Sequence, residues 1–355
     1  MRYNEVAKAR YARDLQSGQS VNILAIESSC DETAAAIVRD GKQVISSVVA
    51  SQIATHQLFG GVVPEVASRV HVEVITRVVD QALHEAKMTF NDLQAIAVTY
   101  APGLIGALFV GVTAAKSLAQ VTGLPMIGVH HLAGHMYASA LTDSVEPPYL
   151  ALIVSGGHTE LIQVDELGGM TRLGKTRDDA AGEAFDKIAR ALSLGYPGGP
   201  MIQKAAANGD PLAIEFPRAK MPEGSLDFSF SGLKSSVMLY LDRRKKSGEA
   251  INLENVAASF QSAVVEALVE KAQLALQQTG MQTLVLAGGV AANALLRQRI
   301  QEVCRSIGVR VAVPALWLCT DNAAMIGAAA YPRYRQGKLA DLSLTALANL
   351  ALEAW

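Results

Sequence analysis

Aromatic side chains are scarce in this chain of 355 residues: Phe, Tyr and Trp together make up 5% of it, while half of all residues are apolar. Its apolar volume therefore comes from Ala, Val, Leu and Ile, punctuated by 29 glycines. That balance suits an α/β architecture with glycine loops and argues against an all-β sandwich. Positive charge is not in excess either, the net charge being −2. Phosphate contacts carry much of nucleic-acid affinity, so any RNA contact must come from a local patch or a partner protein. Three runs offer such a patch: Arg243, Arg244, Lys245 and Lys246; Arg297, Arg299, Arg305 and Arg310; and Arg333, Arg335 and Lys338. Each taken alone reads first as a solvated face.

Cysteine is rare and unpatterned. Cys30, Cys304 and Cys319 are odd in number, widely spaced and form no C-x-x-C pair, which excludes a disulfide scaffold and a zinc ribbon and points to a reducing compartment. The first twenty residues hold no apolar core and carry Glu5 and Asp14. They are therefore no secretory signal and a poor transit peptide, and residues 1–21 are expected to form a loose extension. Residues 93–115 carry no charge, long enough to raise a membrane span. Pro102, Gly103, Gly106 and Gly111 interrupt the stretch, so a buried strand, a glycine loop and the start of a buried helix explain it better. No membrane association is expected. The G-x-G-x-x-G fingerprint does not occur, which removes support for the Rossmann nucleotide fold.

The length exceeds what one hydrophobic core usually serves, so two lobes are expected. Short apolar runs at 23–26, 34–38, 95–98, 126–129, 149–154, 161–164, 283–287 and 309–313 are strand-length and bounded by turn residues, the pattern of buried strands. Helical periodicity covers 65–88, 178–192 and 253–278. Their alternation predicts an α/β fold with largely parallel sheets. Residues 24–38 and 150–164 share a pattern of apolar strand, polar turn and apolar strand, an internal echo that would open two related lobes.

Four polar clusters stand at the ends of these runs. His131 and His135 share one face of a helix at i, i+4, the geometry of a bidentate metal site; hydrogen bonding of a helix start to its own backbone explains the cluster as well. Position 132 is Leu, so the general base of H-E-x-x-H is missing. Asp321 precedes an Ala/Gly-rich run and reads either as a helix N-cap or as an acidic ligand, because two histidines and a carboxylate suit iron or zinc. Spacing alone does not bring Asp321 to the histidines. Glycine loops at 154–159, 197–200 and 287–293 can free backbone N–H groups to cradle phosphate, or can be plain turns. The turn from Glu27 to Thr33 collects hydroxyls and carboxylates that can position a reacting amine, or merely cap the turn.

Ten segments in order make the chain resemble the TsaD family, known in archaea and eukaryotes as the catalytic subunit of the KEOPS complex: IESSCDETAAAIV, GGVVPEVASRVH, PGLIGALFVGVTAAKSLA, HHLAGH, VSGGHTEL, DDAAGEAFDKIARALSLGYPGGP, FSFSGLKSSV, ASFQSAVVEALV, LAGGVAANALLR and CTDNAAMIGAA. The match they make runs across nearly the whole chain and leaves out only the first twenty or so residues. The resemblance implies an actin-like/sugar-kinase (ASKHA) fold with duplicated mixed-sheet lobes around a nucleotide cleft. Lobe I is then expected over 22–128, completed by a C-terminal helix at 330–355, and lobe II over 129–329.

The resemblance further implies that His131, His135 and Asp321 bind one divalent metal, iron or zinc with Fe2+ favoured. Ile153, Val154, Ser155, Gly156, Gly157, Asp186, Gly199 and Asn293 would bind the adenine nucleotide of threonylcarbamoyl-AMP, and Asp31 and Glu32 match acidic residues implicated in activity. Gln203 departs from an Asp found in many members, which weakens a ribose contact there. The implied reaction moves a threonylcarbamoyl group from threonylcarbamoyl-AMP to the N6 amine of the adenosine beside the anticodon of tRNAs reading ANN codons, with release of AMP. It implies a cytoplasmic enzyme whose partners are tRNA and, in bacteria, a degenerate TsaB-like paralogue and a TsaE-like P-loop ATPase. A small-molecule carbamoyltransferase of the same fold is the nearest alternative, disfavoured by the lack of an added domain. A metalloendopeptidase lacks its glutamate, and a non-enzymatic scaffold would lack the two histidines.

Overall fold

The computed structural model describes residues 3–219 and 221–355. It divides into two compact units, one of Met1–Thr55, Val62–Ser144 and Pro314–Trp355, the other of His56–Gly61 and Val145–Val313.

In the first unit, helix α1 (Tyr3–Ser17) leads into β1 (Asn22–Glu27). β1 is apolar at every position from 23 to 26 and fully buried there, as the centre of a sheet covered on both faces must be. β2 (Glu32–Arg39) and β3 (Gln43–Ser51) follow on one side as antiparallel neighbours. β4 (Ala95–Ala101) and β5 (Met126–His130) extend the other side in parallel. After the short α2 (Ile53–Gln57), helices α3 (Pro64–Ala86) and α4 (Ile105–Thr122) cover one sheet face. There Ile75, Val78, Leu108 and Val112 pack with Leu24, Ile26, Ile96 and Val98. Strand alternation turns Ile23 and Ala25 to the opposite face. α5 (His131–Ala138) starts directly where β5 ends.

α4 is long and apolar enough, by length and composition alone, to cross a membrane. Its Leu108, Val112, Ala115 and Ala119 belong to the core of the first unit. The N-terminal segment is not loose. Tyr3 Oη donates to the Leu124 carbonyl at 3.0 Å, and Arg10 donates to the carbonyls of Thr122 and Leu93. Tyr11 meets Tyr334 edge to face at 5.1 Å. Only Ala7 of α1 is buried; the helix docks through these hydrogen bonds and through Tyr3 and Tyr11 packed against the core, which an apolar-periodicity reading does not register.

The second unit repeats the strand plan. β6 (Tyr149–Val154), β7 (Thr159–Val164) and β8 (Met170–Lys175) form an antiparallel meander. β9 (Thr283–Ala287) and β10 (Arg310–Ala312) lie parallel beyond β6. The sheet orders are β3-β2-β1-β4-β5 and β8-β7-β6-β9-β10, so the echo between residues 24–38 and 150–164 marks a duplicated sheet. Half the pairings in each sheet are antiparallel, so the sheets are mixed rather than largely parallel. Periodicity does not reveal β3 and β8 because both are edge strands with partly solvated residues and no unbroken apolar run. The helices of this unit are α6 (Ala181–Ala191), α7 (Gly198–Ala206), α8 (Ser231–Ser247), α9 (Leu253–Thr279) and α10 (Ala294–Ser306).

The chain then returns to the first unit through α11 (Leu316–Cys319) and α12 (Ala323–Arg335). α12 seals the second face of the first sheet with Ala323, Ile326, Ala329 and Ala330. The changes of unit fall after Ser144 and Val313, whereas the sequence places them after 128 and 329; α5 and α12 pack on each other and on strands of the first sheet. The expected helix over 330–355 ends at Arg335, and the remainder is irregular apart from a 3-10 turn at Leu352–Ala354. A Cβ on Gly327 would lie 2.6 Å from Val38 Cγ2. Gly327→Val should therefore lower stability by about 1–3 kcal/mol, read as a lower denaturation midpoint at unchanged m-value.

Candidate metal centre and glycine cradle

α5 begins with His130 as its N-cap: the His130 Nδ1 accepts from the Leu132 N–H at 3.2 Å. His131 and His135 then stand one turn apart with ring centroids separated by 4.7 Å. Asp321 is not the cap of α12. Asn322 takes that place, its Oδ1 accepting from the Met325 N–H at 2.9 Å while its Nδ2 donates to the Thr320 carbonyl. The Asp321 carboxylate is left just outside the helix. Gly134 lets α12 approach α5 closely, since a Cβ there would lie 2.7 Å from Ile326 Cδ1.

The result is a compact triad. Asp321 Oδ1 lies 3.2 Å from His135 Nε2 and 3.5 Å from His131 Nε2, and one ligand atom from each residue falls within 4.8 Å of the others. His135 is buried, yet neither of its ring nitrogens has a hydrogen-bond partner, the approach to Asp321 lacking hydrogen-bond geometry. A buried polar group left unpaired costs roughly 1–3 kcal/mol. Two imidazoles and a carboxylate with an orphaned nitrogen among them fit a divalent metal taking nitrogen and oxygen ligands. Burial alone would deprotonate His131, but the Asp321 and Glu27 carboxylates outweigh it and raise its pKa to about 9. Metal binding must displace that proton.

The acidic turn between β1 and β2 sits beside this triad. Ser29 Oγ lies 3.0 Å from His131 Nδ1. The turn is held from several sides: Ser28 Oγ donates to the Ala107 carbonyl, the Leu104 N–H to the Ser29 carbonyl, and the Gln52 N–H to the Asp31 carbonyl. His71, fully buried, reaches the Cys30 carbonyl with Nε2 at 2.9 Å and Thr33 Oγ1 with Nδ1 at 2.7 Å. Glu32 receives the Ser51 hydroxyl on Oε1 at 2.8 Å, while its buried Oε2 has no partner. Burial, assisted by the nearby charges of Asp31 and Asp321, lifts its pKa to about 8. Asp31, Glu32, His131, His135 and Asp321 all belong to the first unit.

In the second unit three glycine segments converge. Gly156 and Gly157 form the β6–β7 turn, with open space where their side chains would be. Gly182, near the start of α6, packs so closely that a Cβ would lie 2.6 Å from the Ser155 carbonyl oxygen. Gly288, at φ +91°, abuts the Val154 carbonyl. The first N–H groups of α6 are already engaged: Ala181 donates to Thr159 Oγ1 and Gly182 to the Ser155 carbonyl. Ile153 and Val154 have fully buried side chains and can offer a ligand backbone only. Asp186 Oδ1 accepts from the Gly198 N–H at 2.7 Å and ties α6 to the start of α7, where Gly199 faces open space. Asn293 caps α10 through its Oδ1 and donates its Nδ2 to Gln261. Gln203 accepts from the Ala294 N–H at 2.7 Å, so at this departure position the side chain joins α7 to the start of α10.

The sequence groups Glu27 with the acidic turn and assigns it nothing, and it overlooks His71 and Thr159. A glutamate ending an otherwise apolar strand was the available signal for Glu27. The first basic run carries its own counter-charges, with Arg244 paired to Glu249 and Lys246 to Asp242.

A profile of the family described as TsaD, tRNA N6-adenosine threonylcarbamoyltransferase, matches residues 43–328. A protein of that name from Clostridium botulinum (strain 657 / Type Ba4) is 53% identical over 335 residues, covering 94% of this chain and 98% of its own length. Another from Geobacillus thermodenitrificans is 54% identical over 340 residues, covering 96% and 99%. Among solved structures, full-length HypF in its phosphate- and nucleotide-bound form superposes with a TM-score of 0.60 at 15% identity, over 89% of this chain and 46% of that one. A likeness so remote in sequence speaks for the actin-like/sugar-kinase fold and for nothing in the chemistry.

Proposed function

Since the chain belongs to the TsaD family of tRNA N6-adenosine threonylcarbamoyltransferases, we propose that it transfers the threonylcarbamoyl group from threonylcarbamoyl-AMP to the adenosine beside the anticodon of tRNAs reading ANN codons. His131, His135 and Asp321 hold the divalent metal this requires, and the orphaned nitrogens of His135 are the observation that carries the assignment. When bound, such an ion, by our reading iron(II) or zinc, orients the phosphate-bearing donor and offsets charge that develops as the acyl bond breaks.

The N6 amine attacks the carbamoyl carbon, the bond from that carbon to the AMP phosphate oxygen breaks, and AMP leaves with the electron pair. The proton lost from nitrogen goes to Glu32, whose unpartnered Oε2 and pKa near 8 suit a proton acceptor working close to neutral pH. Asp31, in the same clamped turn, helps to orient the amine. The backbone of 153–157, with Asp186, Gly199 and Asn293, holds the adenylate. For Ile153 and Val154 this means carbonyl and N–H groups alone, and for Asn293 it means sharing a side chain that already caps α10. We place the enzyme in the cytoplasm with tRNA as substrate. A TsaB-like paralogue and a TsaE-like ATPase are its expected partners, consistent with its slightly negative net charge.

Two measurements test this reading. Depletion of the protein in its own host, followed by nucleoside mass spectrometry of total tRNA, should remove threonylcarbamoyladenosine; unchanged levels in a host with no second copy of the gene would sink it. In the second unit, Gly182→Val forces a side chain against the Ser155 carbonyl. It should raise the KM for threonylcarbamoyl-AMP by about tenfold or more, equivalent to ~1.4 kcal/mol, while leaving metal content unchanged.

A further inference from the structure

Metal binding through an imidazole Nε2 requires that the ring's proton sit on Nδ1, and a hydrogen-bond acceptor at Nδ1 normally enforces this. The two histidines of the triad differ sharply in that respect. His135 Nδ1 has no partner. His131 Nδ1 faces Glu27 Oε2 at 3.3 Å and Ser29 Oγ at 3.0 Å. Glu27 is fully buried at the end of β1, and its carboxylate is itself aligned from both sides. The Ser29 N–H donates to Oε1 at 2.5 Å, and the Thr99 hydroxyl, from β4, donates to Oε2 at 2.6 Å. Neither donor leaves the carboxylate free to rotate. Taking a charge of this kind out of water is unfavourable unless a counter-charge faces it, and the group that faces it here is the His131 ring.

We propose that Glu27 is a positioning residue of the metal centre: held by Ser29 and Thr99, it keeps the His131 proton on Nδ1 and so presents Nε2 to the metal. The inference rests on reading His131, His135 and Asp321 as metal ligands. It makes the two imidazoles unequal, His131 being pre-set by a carboxylate and His135 set only by the metal itself.

Glu27→Gln changes one atom and makes a sharp test. The Ser29 N–H requires the amide oxygen on the Oε1 side, so the amide NH2 takes the Oε2 place and donates toward His131 Nδ1. Nδ1 then becomes an acceptor, and the ring proton moves to Nε2, where the metal would bind. Dissociation constants for Zn2+ and Co2+, measured anaerobically by competition with a chromophoric chelator, should be about 10–100-fold weaker in Glu27→Gln than in the wild type. Nitrogen-15 NMR of histidine-labelled, metal-free variant, recorded at a pH where the His131 ring is neutral, should show it as the Nε2–H tautomer, a signature that a merely structural effect would not produce. Unchanged dissociation constants or an Nδ1–H tautomer would overturn the proposal. Should Glu27→Gln fail to fold, Thr99→Val removes one of the donors that align Glu27 without touching the histidine. It should weaken both ions by about tenfold, and equal affinity would likewise refute the role. A wild-type protein that binds neither ion would instead bring down the metal reading itself, so the two failures are distinguishable.

Discussion

His135→Leu should leave the protein without bound metal and reduce threonylcarbamoyl transfer to tRNA by more than about 100-fold, while the metal-free fold becomes no less stable. Loss of an outer-shell partner typically weakens a metal site by about 10–100-fold, and removal of a direct ligand from a three-ligand set must exceed that. The stability half of the result follows from the environment of His135. Its ring is buried and makes no hydrogen bond through either nitrogen, so an apolar side chain of similar volume removes two polar atoms that lack a hydrogen bond and gives up only the 3.2 Å approach to the partly exposed Asp321 carboxylate. His131→Ala is the contrasting case. It removes the same kind of ligand, but it also strips the buried Glu27 carboxylate of the imidazole that faces it, a loss of the type that costs about 3–5 kcal/mol. Metal content by plasma mass spectrometry and thermal denaturation of the apo proteins separate the two. A His135→Leu protein that retains stoichiometric metal would remove His135 from the ligand set.

Glu32→Gln should lower kcat by about 10²–10⁴-fold, the usual contribution of a positioned proton acceptor, with metal content preserved. The pH dependence discriminates this from a general loss of structure. Burial pushes the Glu32 pKa up to about 8, so at neutral pH most of the free enzyme carries the protonated, inactive form. The wild-type kcat/KM should rise with pH and level off above about 8, and the rise should vanish in Glu32→Gln. Stability moves the opposite way. Because the folded-state pKa lies above that of the unfolded chain, the folded state holds the extra proton between those values. The stabilisation is complete below the unfolded-state pKa near 4.5 and is lost as pH rises through about 8. The wild type should thus lose stability relative to Glu32→Gln between about pH 5 and 8.5 in urea titrations, and parallel curves would show that Glu32 is not raised.

Local pattern carried a large part of the molecule. The apolar runs at 23–26, 95–98, 126–129, 149–154 and 283–287 are strands because continuous apolarity at that length suits a sheet covered on both faces; all but 126–129, the edge strand β5, lie at or beside the centre of their sheet. The helices at Pro64–Ala86, Ala181–Ala191 and Leu253–Thr279 match their periodic segments within a few residues. The docking of α1 and the edge strands β3 and β8 escaped, since neither depends on a buried apolar period.

What the sequence by itself determined is the pair of histidines on one helical face, the glycine turns after buried strands, and the duplicated hairpin. Each of these is set within a few residues by backbone periodicity and turn chemistry. Only the tertiary structure decided which distant groups join them. Asp321 reaches His131 and His135 because Asn322 takes the cap of α12 and Gly134 admits that helix against α5. Glu27 reaches His131 because β1 lies beside β4, whose Thr99 aligns the carboxylate. Such contacts arise from the packing of elements far apart in the chain, and local spacing holds no record of them.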